Sequence, residues 1–429
     1  MPGHCIIIGG GFAGLSAAAH LSNLEYKITL LEASPKLGGR AYSFYDEETK
    51  TVVDNGQHIL MGCYNYTLDF LRLIGALENF YTQKKLEVNY LKPDFQQFKL
   101  KAGILPYPFN LVEGLLKFNA ISLKSRIGIL KTLLKLLFVT NQRVENLTVE
   151  QWLKSGNQDE ESLKSFWEII SAGALNTSIE KASAKVFTDV LKEIFLTGKR
   201  SAKIILPKIG LTESYVDYAQ KCILTKNGEI NCSEEVKEIL IENDRAQKII
   251  TNKDNYADFD FIISAVPYFA FTRFTDKIIL SGIPEFEDST IVNIHIWLKE
   301  NNLKEKFYGL IDSPVHWIFN KGNHLNLVIS DANYLKEKSA EEIFAMTKTE
   351  LNRFAKIDPE NILTYKVIKE KRATFIPTID IFNKRPSINT SIKNLFVAGD
   401  WVDTGLPSTI ESAVKSGKMV SEILADVSN

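Results

Sequence analysis

The chain has 429 residues, of which 45% are hydrophobic and 24% charged, and its formal net charge is −1. The hydrophobic fraction is enough for sizeable cores, which excludes a disordered or fibrous chain, and the length predicts two or three substructures. The near-zero charge argues against nucleic acid as the main partner, because binding to phosphates requires an excess of Lys and Arg.

The 4 cysteines are scattered and follow none of the spacings of zinc sites or disulfide frameworks. We therefore predict free thiols in a reducing compartment and no bound metal. No run reaches the ~18 apolar residues of a membrane-spanning helix. The first apolar run, Cys5–Ile8, leads into glycines and not into a signal-peptide pattern. These features predict a cytoplasmic protein that is soluble or peripherally bound at the inner face of the cell membrane.

The N-terminal residues carry a glycine motif between a strand and a helix. Residues 4–8 predict a buried strand, a helical pattern runs from 15 to about 24, and residues 27–31 predict a second strand that ends in Glu32. The motif Gly9-x-Gly11-x-x-Gly14 lies between the first strand and the helix, which is the dinucleotide-binding fingerprint in its required context. The glycines permit a tight turn, close approach of a pyrophosphate and close helix packing, while Glu32 accepts hydrogen bonds from the adenosine ribose.

The residues after Glu32 distinguish FAD from NAD. Pro35-Lys36-Leu37-Gly38-Gly39-Arg40 resembles the extended motif of the FAD-dependent amine oxidase and phytoene desaturase superfamily. In that superfamily the paired glycines and the arginine run along the phosphate and ribityl side of the flavin. The resemblance therefore implies FAD as the cofactor, with Gly39 and Arg40 against it.

The C-terminal residues supply the other half of such a site. Residues 394–400 predict a strand that ends in Gly399 and Asp400, and a helix start at Pro407 precedes a helical stretch to about 424. Residues 257–267 predict a buried strand that ends under the cofactor, and residues 235–239 predict a strand whose Val236 backbone meets the adenine. The order of these pieces along the chain is that of the superfamily.

Two stretches narrow the resemblance to one family. Residues 54–64 and 398–413 look like the corresponding segments of the hydroxysqualene dehydroxylases, and residues 206–211, 315–320 and 371–375 are similar to middle segments of that family. Ser412-Ala413 departs from the glycine-alanine pair more common there. The resemblance implies reductive removal of a hydroxyl group from an allylic C30 alcohol, with an apolar isoprenoid as substrate, and it leaves the external reductant unidentified.

The candidate cofactor-binding residues are Gly9, Gly11, Phe12, Ala13, Gly14, Glu32, Ala33, Gly39, Arg40, Gly56, Gln57, His58, Val236, Ala265, Gly399, Asp400, Thr409 and Ile410. His58 is also the candidate proton donor, because imidazole is the usual donor near pH 7. The alternative is that His58 only forms a hydrogen bond with the flavin or the backbone. The strand-like surroundings of His295 and His316 favour packing roles.

Other functions remain open. A carotenoid-type desaturase needs the same apolar tunnel, so composition does not separate it from a dehydroxylase. An amine oxidase is disfavoured, because many carry a lysine on the strand opposite the flavin and residues 291–296 contain none. A non-catalytic flavin-binding escort protein is the remaining alternative.

Residues 123–138 predict a basic amphipathic helix, in which Leu123, Ile127, Leu130, Leu134 and Leu137 share one face. Lysines lie mostly off that face, as in helices that rest in an anionic membrane interface. A core-facing helix with a solvated basic side is the alternative. A C30 hydrocarbon substrate favours membrane contact near residues 122–139, because such a molecule does not diffuse freely through water.

Together these patterns predict an α/β protein in which a Rossmann-type FAD-binding domain is interleaved with an α+β substrate-binding domain. The predicted FAD-binding domain comprises residues 1–75, 200–268 and 390–429, and the predicted substrate-binding domain comprises residues 76–199 and 269–389.

Overall fold

The computed structural model describes residues 3–274, 280 and 283–428, so that residues 1–2, 275–279, 281–282 and 429 of the predicted domains lie outside the described residues. The strands are β1 (His4–Ile8), β2 (Lys27–Glu32), β3 (Ser43–Asp46), β4 (Thr51–Asp54), β5 (Leu60–Met61), β6 (Phe80–Thr82), β7 (Glu87–Lys92), β8 (Gln96–Lys101), β9 (Ile204–Pro207), β10 (Glu229–Cys232), β11 (Val236–Glu242), β12 (Arg245–Thr251), β13 (Asn255–Tyr256), β14 (Phe261–Ser264), β15 (Asp288–Leu298), β16 (Phe307–Leu310), β17 (Trp317–Asn320), β18 (His324–Ile329), β19 (Ile362–Phe375) and β20 (Leu395–Val397). The helices are α1 (Phe12–Asn23), α2 (Asn65–Leu73), α3 (Phe109–Lys117), α4 (Leu123–Lys135), α5 (Asn141–Val144), α6 (Val149–Ser155), α7 (Glu160–Ser162), α8 (Glu168–Leu175), α9 (Ala184–Leu196), α10 (Asp217–Leu224), α11 (Tyr268–Phe271), α12 (Ala340–Ala355), α13 (Ile379–Phe382) and α14 (Ile410–Ser428).

A five-stranded parallel sheet, in the order β10-β2-β1-β14-β20, forms the Rossmann-type part of the molecule. Its strands come from three separated stretches of sequence, as the interleaved architecture requires. Ile8 at the end of β1 pairs with Leu31 of β2 and Ser264 of β14. The carboxyl ends of these central strands therefore meet at one edge, which is where open α/β sheets bind ligands.

Helices α1 and α14 cover one face of this sheet and pack closely on each other. Ser16 in α1 donates a hydrogen bond from Oγ to the Val414 carbonyl of α14, over 2.9 Å. A Cβ atom on Gly417 would lie 2.3 Å from the Ala13 carbonyl oxygen, so only glycine allows this separation. The contact joins the start and the end of the chain.

The second large sheet has seven strands in the order β19-β15-β18-β17-β16-β7-β8. One face of β15 buries Val292, Ile294 and Ile296 in a hydrophobic cluster with α12. The opposite face carries Asn293 towards Gly56. All seven strands lie within residues 76–199 and 269–389, while the domain boundaries themselves stay a prediction.

Two elements differ from the sequence prediction: one strand is shorter, and the last helix begins later in the chain. The strand predicted over 257–267 spans only Phe261–Ser264, because the chain enters the sheet after Asp260, whose carboxylate accepts a 2.7 Å hydrogen bond from the His4 amide. The last helix begins at Ile410 and not at Pro407, because the Thr409 hydroxyl caps it by accepting a 3.3 Å hydrogen bond from the Ser412 amide.

Within the described residues, no helix combines the length and apolar character required to cross a membrane. Helix α4 confirms the helix predicted near 122–139, and a short 3-10 turn, Leu136–Phe138, follows it. Its orientation differs from the core-facing alternative, since Leu123, Ile127 and Leu134 are exposed.

Candidate cofactor and active site

The glycine loop after β1 has the conformation that a pyrophosphate site requires. Gly9 has a φ of +106°, in the region that favours glycine, and a Cβ atom there would lie 3.0 Å from the Ala265 carbonyl oxygen. A Cβ atom on Gly14 would lie only 1.9 Å from the Gly9 carbonyl oxygen. The structure therefore places Gly9, Gly14 and Ala265 against each other at the carboxyl ends of β1 and β14.

Helix α1 presents its N-terminus to this loop. Gly11 occupies the N-cap position, and no side chain caps the helix there. The Phe12 ring is not available to a cofactor, because it stacks on Tyr215 in the core with 4.1 Å between ring centroids. Ala13 is buried as well, so these two residues can contribute only backbone N–H groups to phosphates.

Glu32 lies beside the same glycine loop. One carboxylate oxygen accepts a 2.7 Å hydrogen bond from the Gly10 amide, and the other accepts a 2.7 Å hydrogen bond from the Ser34 amide. Each oxygen keeps a second lone pair, which a ribose hydroxyl group can use. Ala33 is exposed beside it.

The Val236 side chain is buried at the start of β11, in a separate three-stranded sheet formed by β11, β12 and β13. It belongs to one hydrophobic cluster with Ile8 and Leu31, the last residues of the first two predicted strands. The structure thus brings Val236 to the same sheet edge as the glycine loop, although it does not extend the parallel sheet.

The Gly-Gly-Arg motif crosses directly over the glycine loop. A Cβ atom on Gly39 would lie 3.1 Å from the Gly11 Cα atom, so two stretches of bare backbone face each other. The next residue, Arg40, donates from Nη1 to the Ala373 carbonyl at 2.8 Å and from Nη2 to the Asp400 carboxylate at 2.6 Å. Arg40 thus links the motif to β19 and to the C-terminal segment.

The C-terminal candidates meet at the start of α14. The Gly399 amide donates a 2.8 Å hydrogen bond to the Ser416 hydroxyl, and the second Asp400 oxygen accepts from the Ser408 hydroxyl. Thr409 and Ile410 form the cap and the first residue of the helix and are half-buried. The positive end of the α14 dipole therefore lies beside Asp400.

The loop from Gly56 to His58 lies against β15. The Gln57 amide donates a 3.3 Å hydrogen bond to the Asn293 side-chain oxygen. A Cβ atom on Gly56 would lie 3.1 Å from the Asn293 amide nitrogen. Two buried polar atoms of this loop, Gln57 Oε1 and His58 Nε2, have no hydrogen-bond partner within the described part of the chain.

The electrostatics of His58 differ from those of an ordinary histidine. Burial lowers the pKa of His58 to about 4, although the Asp54 carboxylate opposes the shift. The imidazole is therefore neutral at pH 7, and it can donate or accept one hydrogen bond at each ring nitrogen. Its assignment as proton donor stays a prediction.

The other histidines of the sheet are also neutral. Burial lowers the pKa of His295 to about 3 and that of His316 to about 4. The His316 Nδ1 atom accepts a 3.1 Å hydrogen bond from the Ser330 amide, which is a structural role. His316 precedes β17, whereas His295 lies within β15 beside His324, with 5.2 Å between their ring centroids.

Sequence reasoning did not identify Asn293, which lies beside this loop, or Glu370, which shares a sheet face with Asn293. The Asn293 side chain is buried and contacts Gly56 and Gln57. The feature of the sequence that could have indicated its role is a single Asn within the apolar run of β15. Glu370 pairs with Ile291 across β15 and β19, on the sheet face that carries Asn293. Burial raises the pKa of Glu370, while the charge of Arg40 opposes that shift.

The described residues contain neither a cluster of metal ligands nor a disulfide bond. No group of three or more His, Cys, Asp and Glu side chains is placed to hold a metal ion in these ranges. The 4 cysteines are free thiols, and burial raises the pKa of Cys5 and Cys63.

These residues fit FAD. Gly11 and Gly39 carry no side chain that would block the approach of a pyrophosphate, and the N-terminus of α1 supplies donors to it. Gln57 and His58 offer buried polar atoms without partners at the other end of the site. Glu32 and Asp400 supply carboxylate oxygens for hydroxyl groups of the ribose and ribityl chain.

Comparisons with known proteins agree with this site. The family described as flavin containing amine oxidoreductase matches residues 12–425. The chain is 28% identical to hydroxysqualene dehydroxylase from Zymomonas mobilis, over 97% of this chain and 98% of that protein. It is 25% identical to 15-cis-phytoene desaturase from Glycine max, over 99% of this chain and 79% of that protein.

Solved structures show the same fold. An oxidoreductase from Methanosarcina mazei superposes with a TM-score of 0.73 at 18% identity, over 98% of this chain and 100% of that one. Because the family match extends over nearly the whole chain and the site fits the cofactor, the chain belongs to the flavin-containing amine oxidoreductase family and is an FAD-dependent oxidoreductase.

Proposed function

We propose that this oxidoreductase removes the hydroxyl group of hydroxysqualene reductively and so forms squalene. The observation that carries the proposal is the apolar border of the Gly56–His58 loop: Ile59, Met61, Ile291 and Trp317 pack on one hydrophobic cluster. Such a border suits a C30 hydrocarbon chain and excludes water from it. The name of the Zymomonas mobilis relative supports the choice of substrate.

The reaction exchanges a C–O bond for a C–H bond. Reduced FAD, when bound, supplies a hydride to the carbon, and the hydroxyl oxygen takes up a proton and leaves as water. The chain itself must therefore hold a proton close to the hydroxyl group, orient the allylic carbon and keep bulk water away.

His58 stays a candidate for the proton donor, with a defined constraint. A group with a pKa of about 4 carries the extra proton in only about one molecule in a thousand at pH 7. As a neutral imidazole, His58 can still orient the substrate hydroxyl through its buried Nε2 atom.

Glu370 is a second candidate donor. It shares a sheet face with Asn293, the residue in contact with Gly56 and Gln57. Burial raises the pKa of its carboxyl group, so that Glu370 keeps its proton to a higher pH than an exposed glutamate does. A carboxyl group with a raised pKa is a suitable general acid for a departing hydroxyl group.

A phytoene-type desaturase is the competing function, and the similarity to the Glycine max protein favours it. In that reaction oxidised flavin would accept a hydride from the substrate, so no donor is needed for a leaving hydroxyl group. An amine oxidase receives less support, because β15 presents Asn293 and no lysine to the Gly56 loop. A non-catalytic escort would carry flavin that no substrate turns over.

Anaerobic single turnover distinguishes these functions. The purified holoprotein is reduced without oxygen and mixed with hydroxysqualene in detergent, and the extracted product and the visible spectrum are recorded. We expect squalene in an amount equal to the flavin, together with the spectrum of oxidised flavin. Absence of squalene, combined with reduction of the oxidised flavin by phytoene, would overturn the proposal. If hydroxysqualene does not reoxidise the reduced flavin and phytoene does not reduce the oxidised flavin, the non-catalytic escort is favoured.

A further inference from the structure

We propose that residues 104–138 form a docking surface for an anionic lipid bilayer, built from two exposed apolar parts and a set of lysines. This surface consists of the loop before α3, the start of α3, helix α4 and the 3-10 turn that follows it. The inference deepens the proposed function by naming the partner that supplies an apolar substrate. Its test measures binding alone and does not depend on that function.

Helix α4 is fixed with its leucine stripe outwards. Its inward side combines the buried side chain of Ile129 with hydrogen-bonded hydroxyl groups: the Ser125 hydroxyl lies 2.9 Å from the Asp159 carboxylate and 2.7 Å from that of Glu161. Thr132 accepts a 3.0 Å hydrogen bond from Gln158. These bonds fix the rotation of the helix about its axis, because buried hydroxyl groups require partners.

The consequence is an exposed leucine stripe. Leu123 is 55% exposed, Leu134 is 60% exposed and Phe138, in the turn after the helix, is 75% exposed. Of the residues predicted to share the apolar face, only Leu130 packs partly against the core. Ile129 and Leu130 hold the helix on the core, so the stripe is additional apolar surface that an apolar partner would bury.

A second apolar element adjoins the stripe and has no helical signature in the sequence. Ile104, in the loop before α3, is 87% exposed, and Phe109, the first residue of α3, is 62% exposed. The loop is held in place: the Ile104 amide donates a 2.9 Å hydrogen bond to Glu113, and the Tyr107 hydroxyl donates a 2.6 Å hydrogen bond to the Phe195 carbonyl. These apolar side chains are therefore displayed on an ordered backbone.

The charges around the surface select the kind of lipid. Lys124, Lys131 and Lys135 are exposed on α4, and none lies within 4 Å of a carboxylate of the described residues. Helix α4 itself contains no acidic residue. A surface that combines apolar side chains with unpaired lysines is complementary to anionic headgroups above acyl chains.

The core beneath this surface leads to the candidate active site. Phe118, which follows α3, Ile129 of α4 and Leu136 of the 3-10 turn are buried, and the same hydrophobic cluster includes Leu206 and reaches Met61 near His58. The surface and the candidate active site therefore lie on one hydrophobic cluster.

Vesicle flotation tests the surface with the FAD-loaded protein. The vesicles contain either phosphatidylcholine alone or equal parts of phosphatidylcholine and phosphatidylglycerol. We expect binding at least about tenfold stronger to the anionic vesicles, and a loss of about tenfold when Leu134→Glu and Leu137→Glu are combined. The matched control is Leu363→Glu, because Leu363 is 62% exposed on β19, outside the surface.

Protein that does not float with anionic vesicles would overturn the inference, as would equal binding of the double variant and the unchanged chain. A dimer that forms in sedimentation velocity, is abolished by the same substitutions and binds no vesicles would assign the surface to a second copy of the chain instead. An unchanged flavin spectrum shows that each variant is folded. The single-turnover assay uses detergent and no vesicles, whereas flotation measures binding and no turnover. Failure of one proposal can therefore be distinguished from failure of the other.

Discussion

Arg40 and Asp400 form an ion pair, with 2.6 Å between Nη2 and Oδ1, that joins the N-terminal and C-terminal segments of the cofactor site. The Asp400 side chain is almost fully buried, and Arg40 also bonds the Ala373 carbonyl of β19. One guanidinium group therefore ties together three segments that are distant in sequence.

We expect Arg40→Gln to lower both FAD content and stability. The substitution removes the ion-pair partner of the buried Asp400 carboxylate, which keeps its hydrogen bond from Ser408, and should lower the free energy of unfolding by about 1–3 kcal/mol. The ratio of flavin to protein absorbance and denaturant unfolding measure the two effects. Arg72→Gln is the control, because its pair with Asp69 is exposed and should contribute less than about 1 kcal/mol. Equal effects of the two substitutions would contradict this role of Arg40.

Gly14→Ala should separate α1 from the glycine loop. The added Cβ atom would lie 1.9 Å from the Gly9 carbonyl oxygen, so backbone must move, and we expect a loss of more than about 2 kcal/mol in unfolding free energy. Gly173→Ala is the matched control within helix α8, where the nearest atom would be 3.7 Å away. There alanine should be neutral or stabilising by up to about 1 kcal/mol. Tolerance of Gly14→Ala would show that the helix is not closely packed.

The buried histidines should make the fold sensitive to acid. The pKa values of His58, His316 and His324 are lowered to about 4 and that of His295 to about 3, chiefly by burial. The unfolded chain takes up protons near pH 6.5, whereas the folded chain does so only near 4, so stability falls as the pH decreases through this window. We expect unfolding free energies at pH 7 to exceed those at pH 5.

Replacement of one histidine should reduce that dependence. His295→Asn removes one titrating group, and the slope between about pH 6 and pH 4.5 should decrease by up to about 1.4 kcal/mol per pH unit. Chemical denaturation at several pH values measures it, and the slope between pH 7 and pH 8 serves as the internal control. An unchanged slope would indicate that water reaches the His295 ring in the folded protein.

The pH dependence of turnover should identify the proton donor. If Glu370 donates, Glu370→Gln should lower the single-turnover rate by about 10²–10⁴ while FAD stays bound. The rate of the unchanged enzyme should then be constant at low pH and fall above the raised pKa of Glu370. If protonated His58 donates, the rate should instead rise about tenfold per unit down to pH 4.

His58→Ala provides the complementary test. Retained FAD with unchanged turnover would exclude His58 as the donor and leave it a binding residue at most. A loss of turnover in both variants, with flavin spectra unchanged, would indicate that the two side chains act on one proton.

Local sequence predicted the strand, turn and helix around the glycine motif. The glycine spacing, the short β-branched strand and the helix that follows are contiguous, so their geometry depends on neighbours along the chain. Glu32 lies beside Gly10 for the same reason, since parallel strands β1 and β2 end at one sheet edge. The family resemblance added the order of the later segments.

The tertiary structure alone decided the long-range contacts. The Arg40–Asp400 pair spans 360 positions, and the approach of Asn293 to Gly56 depends on how two sheets meet. The Phe12 ring faces the core because Tyr215 packs on it, so that only the backbone of Phe12 stays a candidate for the cofactor. In each case the contacting residue is distant in sequence, and no local sequence pattern indicates the contact.

Helix α4 shows the distinction most clearly. Its sequence determined that apolar side chains share one face, because that follows from the helical period. Which face turns inward was decided by tertiary contacts: Ile129 packs in the core, and Ser125 and Thr132 form hydrogen bonds with Asp159 and Gln158. Hydrophobic periodicity defines an apolar stripe on a helix. Only the packing of the whole chain determines whether that stripe is buried in a core or exposed at the surface.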